Sequence, residues 1–166
     1  RPTSNPLIVH IADMNQLNEI ASQVPQKAKI LAQTFWPGPL TLILPKKSTI
    51  SDLITAGHST VAVRIPNHKV ALDLLRKVKV PLAAPSANPF TGISPTRSKH
   101  VQNYFGDDLS FILEGGTCDR GVESTIVGFE NTTDEAAFVN ANSSVKYNDA
   151  YVFTSSFPAA VSTQLT

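Results

Sequence analysis

Apolar and polar positions along the first 128 residues switch repeatedly between a helical and an extended period, and these switches locate the elements. The short apolar run Leu7-Ile8-Val9-His10-Ile11 reads as a buried strand. Asp13 followed three residues later by Gln16 forms a capping box, after which Leu17, Ile20 and Ala21 fall on one helical face. Pro25 opens a second helix where a missing N–H is harmless, with Ile30, Leu31 and Phe35 on its apolar side. Trp36-Pro37-Gly38-Pro39 must end that helix, because two prolines and a glycine cannot continue it. Residues 40–44 and 61–65 read as strands, with a short helix between them capped by Ser51 and ending at Gly57. Val70, Leu74, Leu75 and Val78 mark another amphipathic helix. The strand Leu82-Ala83-Ala84 runs into Pro85-Ser86-Ala87-Asn88. Ser94-Pro95 predicts a capped helix from Pro95 to about Tyr104, and residues 109–113 and 122–127 are further strand candidates.

Strands alternating with helices define an α/β domain with helices packed on a sheet, although periodicity does not give the strand order. The pattern weakens from Asn131 onward, where there is no glycine, one proline, and much Asn, Ser, Thr and Ala. A strand near residues 150–153 is the one element expected there. The chain therefore divides into a domain over 1–128 and a divergent, poorly ordered or aberrant tail over 129–166. Charge supports the division. Residues 1–128 carry 13 Lys+Arg against 9 Asp+Glu, a balance of +4, whereas the tail sets Lys146 against four acids. A mildly basic body is compatible with phosphate ligands or RNA without requiring either.

With 42% hydrophobic and 16% charged residues, the chain can bury a core without disulfides or metal. The single cysteine, Cys118, excludes an internal disulfide and a cysteine-built zinc cluster. No run of eighteen apolar residues exists, and the opening Arg1-Pro2-Thr3-Ser4-Asn5 leads into no signal-peptide pattern, so a cytoplasmic protein with no membrane contact is expected.

Polar clusters fall at strand ends and in the loops after them, where open α/β sheets bind ligands. Ser86 and Asn88 offer a hydroxyl, an amide and backbone donors suited to phosphate or ribose, although Pro, Ser and Asn are also ordinary turn formers. Ser94-Pro95-Thr96 heads a predicted helix whose free N–H groups can hold an anion, or simply marks its cap. Gly115, Gly116 and Gly121 surround a loop that can approach a ligand closely, but neither Gly-Lys-Ser/Thr nor G-x-G-x-x-G is present. Arg64 within an apolar strand either meets an anion or points to solvent, and His10 in its apolar run reads as a satisfied core histidine. His58, His68 and His100 lack ligand-type spacing, so no protein-built metal site and no side-chain nucleophile is expected. Taken residue by residue, the sequence describes an α/β domain with a polar, anion-friendly cleft.

Six segments in order carry a resemblance to the YrdC-type threonylcarbamoyl-AMP synthase family. They are Arg1-Pro2…Asn5-Pro6-Leu7, Trp36-Pro37-Gly38-Pro39-Leu40-Thr41, Thr60-Val61-Ala62-Val63-Arg64-Ile65-Pro66, Ser86-Ala87-Asn88, Ser94-Pro95-Thr96 and Val122-Glu123-Ser124-Thr125-Ile126-Val127. The resemblance implies a YrdC/RibB-like twisted, mixed sheet with flanking helices and a concave basic cleft. It implies synthesis of threonylcarbamoyl-AMP and pyrophosphate from L-threonine, bicarbonate and ATP, a nucleotidyl transfer that serves tRNA modification through a downstream threonylcarbamoyl transferase. Carried onto this sequence, the threonine site is His10, Arg64, Ser86 and Ser124. The ATP site is Arg1, Asn5, Thr60, Asn88, Ser94 and Thr96. Mg²⁺ is expected to come bound to the ATP phosphates, with no metal-ligating residues and no catalytic side chain.

The chain departs from the family pattern in two ways. The N-terminal strand and the lysine before the first arginine are missing, and no arginine follows Arg120, where the family places an ATP contact. The expectation for the isolated chain is therefore weak or absent turnover. The alternatives are a double-stranded RNA or tRNA-binding module of the same fold, a carbamoyl-adenylate domain of the hydrogenase-maturation type, or an inactive fragment. Stacking aromatics and arginine-rich stretches that would favour RNA binding are absent from the sequence.

Overall fold

A computed structural model describes residues 5–90, 92–119 and 124–129, together with the backbone of 136–138, 146–147 and 150–153. Its centre is a sheet built on β1 (Ile8–His10), β2 (Leu40–Pro45), β3 (Thr60–Arg64), β4 (Leu82–Ala84) and β5 (Thr125–Phe129). The strand order is β4-β1-β3-β2-β5. β1 runs parallel to β3 and β2 parallel to β5, while the β4–β1 and β2–β3 pairs are antiparallel. The sheet is thus mixed and twisted, as the resemblance implies. Beyond β5, backbone pairing continues through β6 (Ala136–Phe138), β7 (Lys146–Tyr147) and β8 (Ala150–Phe153). The strand expected at 150–153 is present; β6 and β7 have no counterpart in the sequence reading.

The pairing register assigns the two faces. Val9, Val61, Val63, Leu40, Leu42, Leu44 and Val127 point to one side, where the central strands are sealed from solvent. Two helices, α1 (Leu17–Ile20) and α2 (Gln26–Phe35), cover that side through Leu17, Ile20, Ala28 and Ala32. α4 (Lys69–Val78) adds Leu72 to the same core, and α3 (Asp52–Thr55) connects β2 to β3. Burying each Leu or Val contributes about 1.5–3 kcal/mol, so this face supplies most of the driving force. The opposite face carries Ile8 and His10, Thr60, Ala62 and Arg64, Thr41 and Ile43, Leu82 and Ala84, and Ile126. Most of these side chains are only half buried.

Several sequence expectations change in the structure. The buried stripe of α2 runs through the small residues Ala28 and Ala32, while Ile30 and Phe35 are exposed, because α2 packs close to the sheet on its alanine side. The Asp13 carboxylate accepts from the Asn15 and Gln16 N–H groups, and the Gln16 side chain accepts from the Ala12 N–H. This reciprocal box closes a turn one step ahead of the four-residue α1. The helix expected from Pro95 is α5 (Ser98–Phe105), with Arg97 at its N-cap, so Ser94 does not cap it. Residues 109–113 form no strand: Leu109, Phe111 and Leu113 are exposed, and apolar β-formers without a partner strand do not make a ladder. By contrast, Ser51 caps α3 by accepting from the Leu53 N–H, as expected.

Candidate functional site

The half-buried face of the sheet is shaped at one end by the Trp36–Pro39 corner. Its Gly38 N–H donates to the Ile65 carbonyl at 2.9 Å, tying the corner to the chain leaving β3. The Thr125 N–H donates to the Pro39 carbonyl at 2.8 Å, which fixes where β5 begins. The Trp36 indole N–H donates to the Leu40 carbonyl at 2.7 Å, so a packing residue also braces the corner. Only glycine fits at 38: a Cβ there would stand 2.1 Å from the Phe35 carbonyl oxygen. The corner therefore delivers Ser124, the residue before β5, onto the half-buried face beside Thr41.

Register places His10 directly opposite Arg64 on adjacent parallel strands. Burial is the main cause that lowers the His10 pKa, and the Arg64 guanidinium adds to it; backbone hydrogen bonds at Leu82 and Ile8 act in the opposite sense. At neutral pH the imidazole is therefore uncharged, and the pair presents one positive charge, on Arg64. The buried hydroxyls of Thr41 and Ser124 lie 3.2 Å apart. Thr41 belongs to the same face as Arg64 by alternation, with β2 adjacent to β3. A cation flanked by hydroxyls and a neutral imidazole is suited to a small anion such as a carboxylate.

A second group sits toward the other end of the same face. Thr60 opens β3, four residues or about 13 Å along the strand from Arg64. Asn5 lies just before β1, and the Ser86–Asn88 turn leaves β4 at the Ile8 end of β1. The Asn88 amide donates to the Gly92 carbonyl at 2.7 Å, closing its loop. Its Oδ1 is sealed from solvent and meets no hydrogen-bond partner among the described residues. Such an orphaned acceptor is costly to bury and marks a position suited to a ligand donor.

Ser94 and Thr96 belong to a third segment, on the approach to α5. Thr96 accepts from the Cys118 N–H at 2.9 Å through its carbonyl, and its own N–H donates to His100 Nδ1 at 3.3 Å. A groove of about 370 Å³ opens there, lined by Ala87, Pro95, Thr96, His68, Phe111 and Cys118 among others. At the start of α5 the Ser98 hydroxyl donates to the Glu114 carboxylate, which also accepts from the Gly116 N–H at 2.7 Å. Those bonds, the serine's foremost, hold the Glu114 pKa below the usual carboxylate range.

The structure thus brings His10, Arg64 and Ser124 to one end of a shared face and Asn5, Thr60 and Asn88 toward the other. Ser86 lies in the turn that borders the second group, Thr96 lines the adjoining groove, and Ser94 lies two residues before Thr96 on the same segment, outside the groove lining. Arg1 lies outside the described residues. Thr41 was not singled out from the sequence as a site residue. The available signal was a hydroxyl inside the apolar run Leu40-Thr41-Leu42-Ile43-Leu44, but its meaning depends on which strand lies beside it.

The fold defines an α/β mixed-sheet domain whose half-buried face carries His10, Arg64 and two buried hydroxyls at one end and adjoins a largely apolar groove at the other. Over residues 1–138 the chain matches the family model Sua5/YciO/YrdC, whose description is "Telomere recombination". It is 48% identical over 127 residues to a threonylcarbamoyl-AMP synthase of Pyrococcus abyssi, and 49% identical over 128 residues to one of Bacillus subtilis. Each match covers 76% of this chain and 37% of the relative, so the chain spans little more than a third of those proteins' length. The crystal structure of P. abyssi Sua5 complexed with L-threonine superposes with a TM-score of 0.76 at 47% identity, covering 78% of this chain and 38% of that one. The chain belongs to the Sua5/YciO/YrdC family.

Proposed function

We propose that the parent protein of this chain is an L-threonylcarbamoyladenylate synthase, with the half-buried face of the sheet as its reaction cleft. L-Threonine is placed at the His10–Arg64–Ser124 end; Ser86, which the resemblance also assigns to threonine, would reach it from the turn at the Asn5–Thr60–Asn88 end of the face. ATP is placed over Asn5, Thr60, Asn88, Ser94 and Thr96, with Arg1 as a further phosphate contact. The observation that carries the reading is the His10–Arg64 pair, which offers one positive charge beside buried hydroxyls on the face that also carries Thr60. Relatives named threonylcarbamoyl-AMP synthase and a relative solved with L-threonine support it.

The chemistry follows from the charges. The threonine amine adds to carbon dioxide derived from bicarbonate and loses a proton, giving a carbamate. A carbamate oxygen then attacks the α-phosphorus of ATP, and the bond to the β,γ-diphosphate breaks to release pyrophosphate. Two anions must approach in line, so the protein's work is positioning and charge neutralisation. Arg64 would fork onto the substrate carboxylate. Neutral His10 adds no second positive charge and leaves that carboxylate oriented by Arg64 and Ser124. Among the described residues no group of three His, Cys, Asp or Glu side chains is placed to hold a metal ion. Mg²⁺ would come with the nucleotide, and it supplies charge neutralisation on the phosphates. The basic character of the cleft, the hand-over to a threonylcarbamoyl transferase acting on tRNA, contact with tRNA or double-stranded RNA, and a cytoplasmic location are parts of the same proposal. Among the described residues no helix is long and apolar enough to cross a membrane.

Calorimetry with L-threonine and a non-hydrolysable ATP analogue tests it. Each ligand is expected to bind, and Arg64→Lys is expected to weaken threonine binding about tenfold or more while leaving the analogue's affinity within about twofold, because lysine cannot form the planar fork. Salt-sensitive RNA binding with no response to either ligand would replace the synthase reading with an RNA-binding module.

A further inference from the structure

Thr41 is the most deeply buried polar residue on a face that is otherwise half open. It has no solvent exposure, whereas the neighbours on its face, His10, Ala62 and Arg64, are partly exposed. Its hydroxyl lies 3.2 Å from that of Ser124, which is itself buried. The two members of this pair are not held alike. Thr41 sits inside β2, paired to β3 on one side and to β5 on the other. Its branched Cβ leaves few χ1 choices. Ser124 lies one residue before β5 begins, outside the regular strand, and an unbranched serine has three staggered rotamers to choose from.

We propose that Thr41 is a positioning residue: its fixed hydroxyl selects the Ser124 rotamer that faces the amino-acid substrate. The inference rests on the reading of the His10–Arg64–Ser124 end as the threonine site and adds a residue to it. A buried hydroxyl pair satisfies one hydrogen bond internally and leaves the remaining donor or acceptor capacity of Ser124 aimed in one direction. Without the Thr41 hydroxyl, Ser124 divides its time among rotamers, and a ligand must select the productive one at a cost in affinity. Thr41 itself is sealed off and touches no ligand, so it acts only through Ser124.

The test is a double-mutant cycle on L-threonine binding, read by calorimetry, with melting temperatures recorded for every variant. Thr41→Val keeps the shape and removes the hydroxyl; it is expected to weaken threonine binding about five- to tenfold. In a Ser124→Ala background the same substitution is expected to change affinity less than about twofold. Thr41→Ser keeps the hydroxyl without the stiff Cβ and is expected to lose only about two- to threefold, again only when Ser124 is present. Binding of the ATP analogue should stay within about twofold throughout. Should the valine variant fail to fold, the serine variant carries the same test. Equal losses with and without Ser124 would mean that Thr41 acts by packing alone, which overturns the proposal. So would a Thr41→Val protein that binds like the parent while Ser124→Ala is weakened. A parent chain that binds the ATP analogue but not L-threonine overturns the site reading itself, and this inference with it.

Discussion

Gly38→Ala is the sharpest perturbation the fold offers, because the whole Ser124 end of the cleft depends on one corner. The added Cβ would sit 2.1 Å from the Phe35 carbonyl oxygen and 3.3 Å from its carbon. A comfortable carbon–oxygen separation is about 3.3 Å, so the backbone must move by roughly 1 Å. It cannot move freely. The Gly38 N–H is bonded to Ile65, the Trp36 N–H to Ala32, and the Pro39 carbonyl to Thr125, while prolines fix the backbone on both sides. Overpacking of this kind costs about 1–3 kcal/mol, and breaking one buried backbone hydrogen bond adds about 1–3 kcal/mol. The reduced freedom of the unfolded chain returns about 0.4–1 kcal/mol. The net is roughly 3 kcal/mol, or about 6–12 °C in melting temperature for a domain of this size. Circular dichroism melts of the variant beside Gly57→Ala measure it. Gly57 has φ +82° and open space around its Cβ position, so alanine there meets only backbone strain of about 1 kcal/mol. A Gly38→Ala protein melting within about 2 °C of the parent, or above Gly57→Ala, would refute the close-approach argument.

Two further outcomes follow from titratable groups. Because the native His10 pKa is lowered, the unfolded chain binds more protons than the native one below about 6.5, so stability falls as pH drops through that value and levels off once the native imidazole also protonates. Urea midpoints between pH 7.5 and 5 should decline more steeply in the parent than in His10→Gln; parallel curves would contradict the assignment. The Glu114 carboxylate ties Ser98 to Gly116, and its lowered pKa means the tie persists above the carboxylate range and weakens as pH falls through the native pKa. Glu114→Ala should lower the hydrogen-exchange protection of the Gly116 amide at neutral pH without altering that of β3, and unchanged protection at Gly116 would exclude the tie.

Reading the chain in one dimension recovers the part of the protein governed by neighbours a few residues apart. Leu82-Ala83-Ala84 as a strand, Ser51 as the cap of a short helix, Pro25 at the start of α2 and the Trp36–Pro39 stop all depend on local propensity, capping and prolyl geometry, and all lie where the pattern put them. The six ordered segments carried the family resemblance for the same reason, since a motif is a local record. Residues 109–113 show the limit: their apolar run has the composition of a strand, but a strand needs a partner, and composition does not supply one. The start of α5 shows it again, because Ser94-Pro95 has the chemistry of a cap while the helix begins at Ser98. Only the tertiary structure set His10 opposite Arg64, placed Thr41 against Ser124 across 83 residues of chain, and put Thr60 on the same face as Arg64. Those juxtapositions come from strand order and register, which a one-dimensional pattern leaves open because each strand's alternation is compatible with many partners until the sheet assembles and one face is buried.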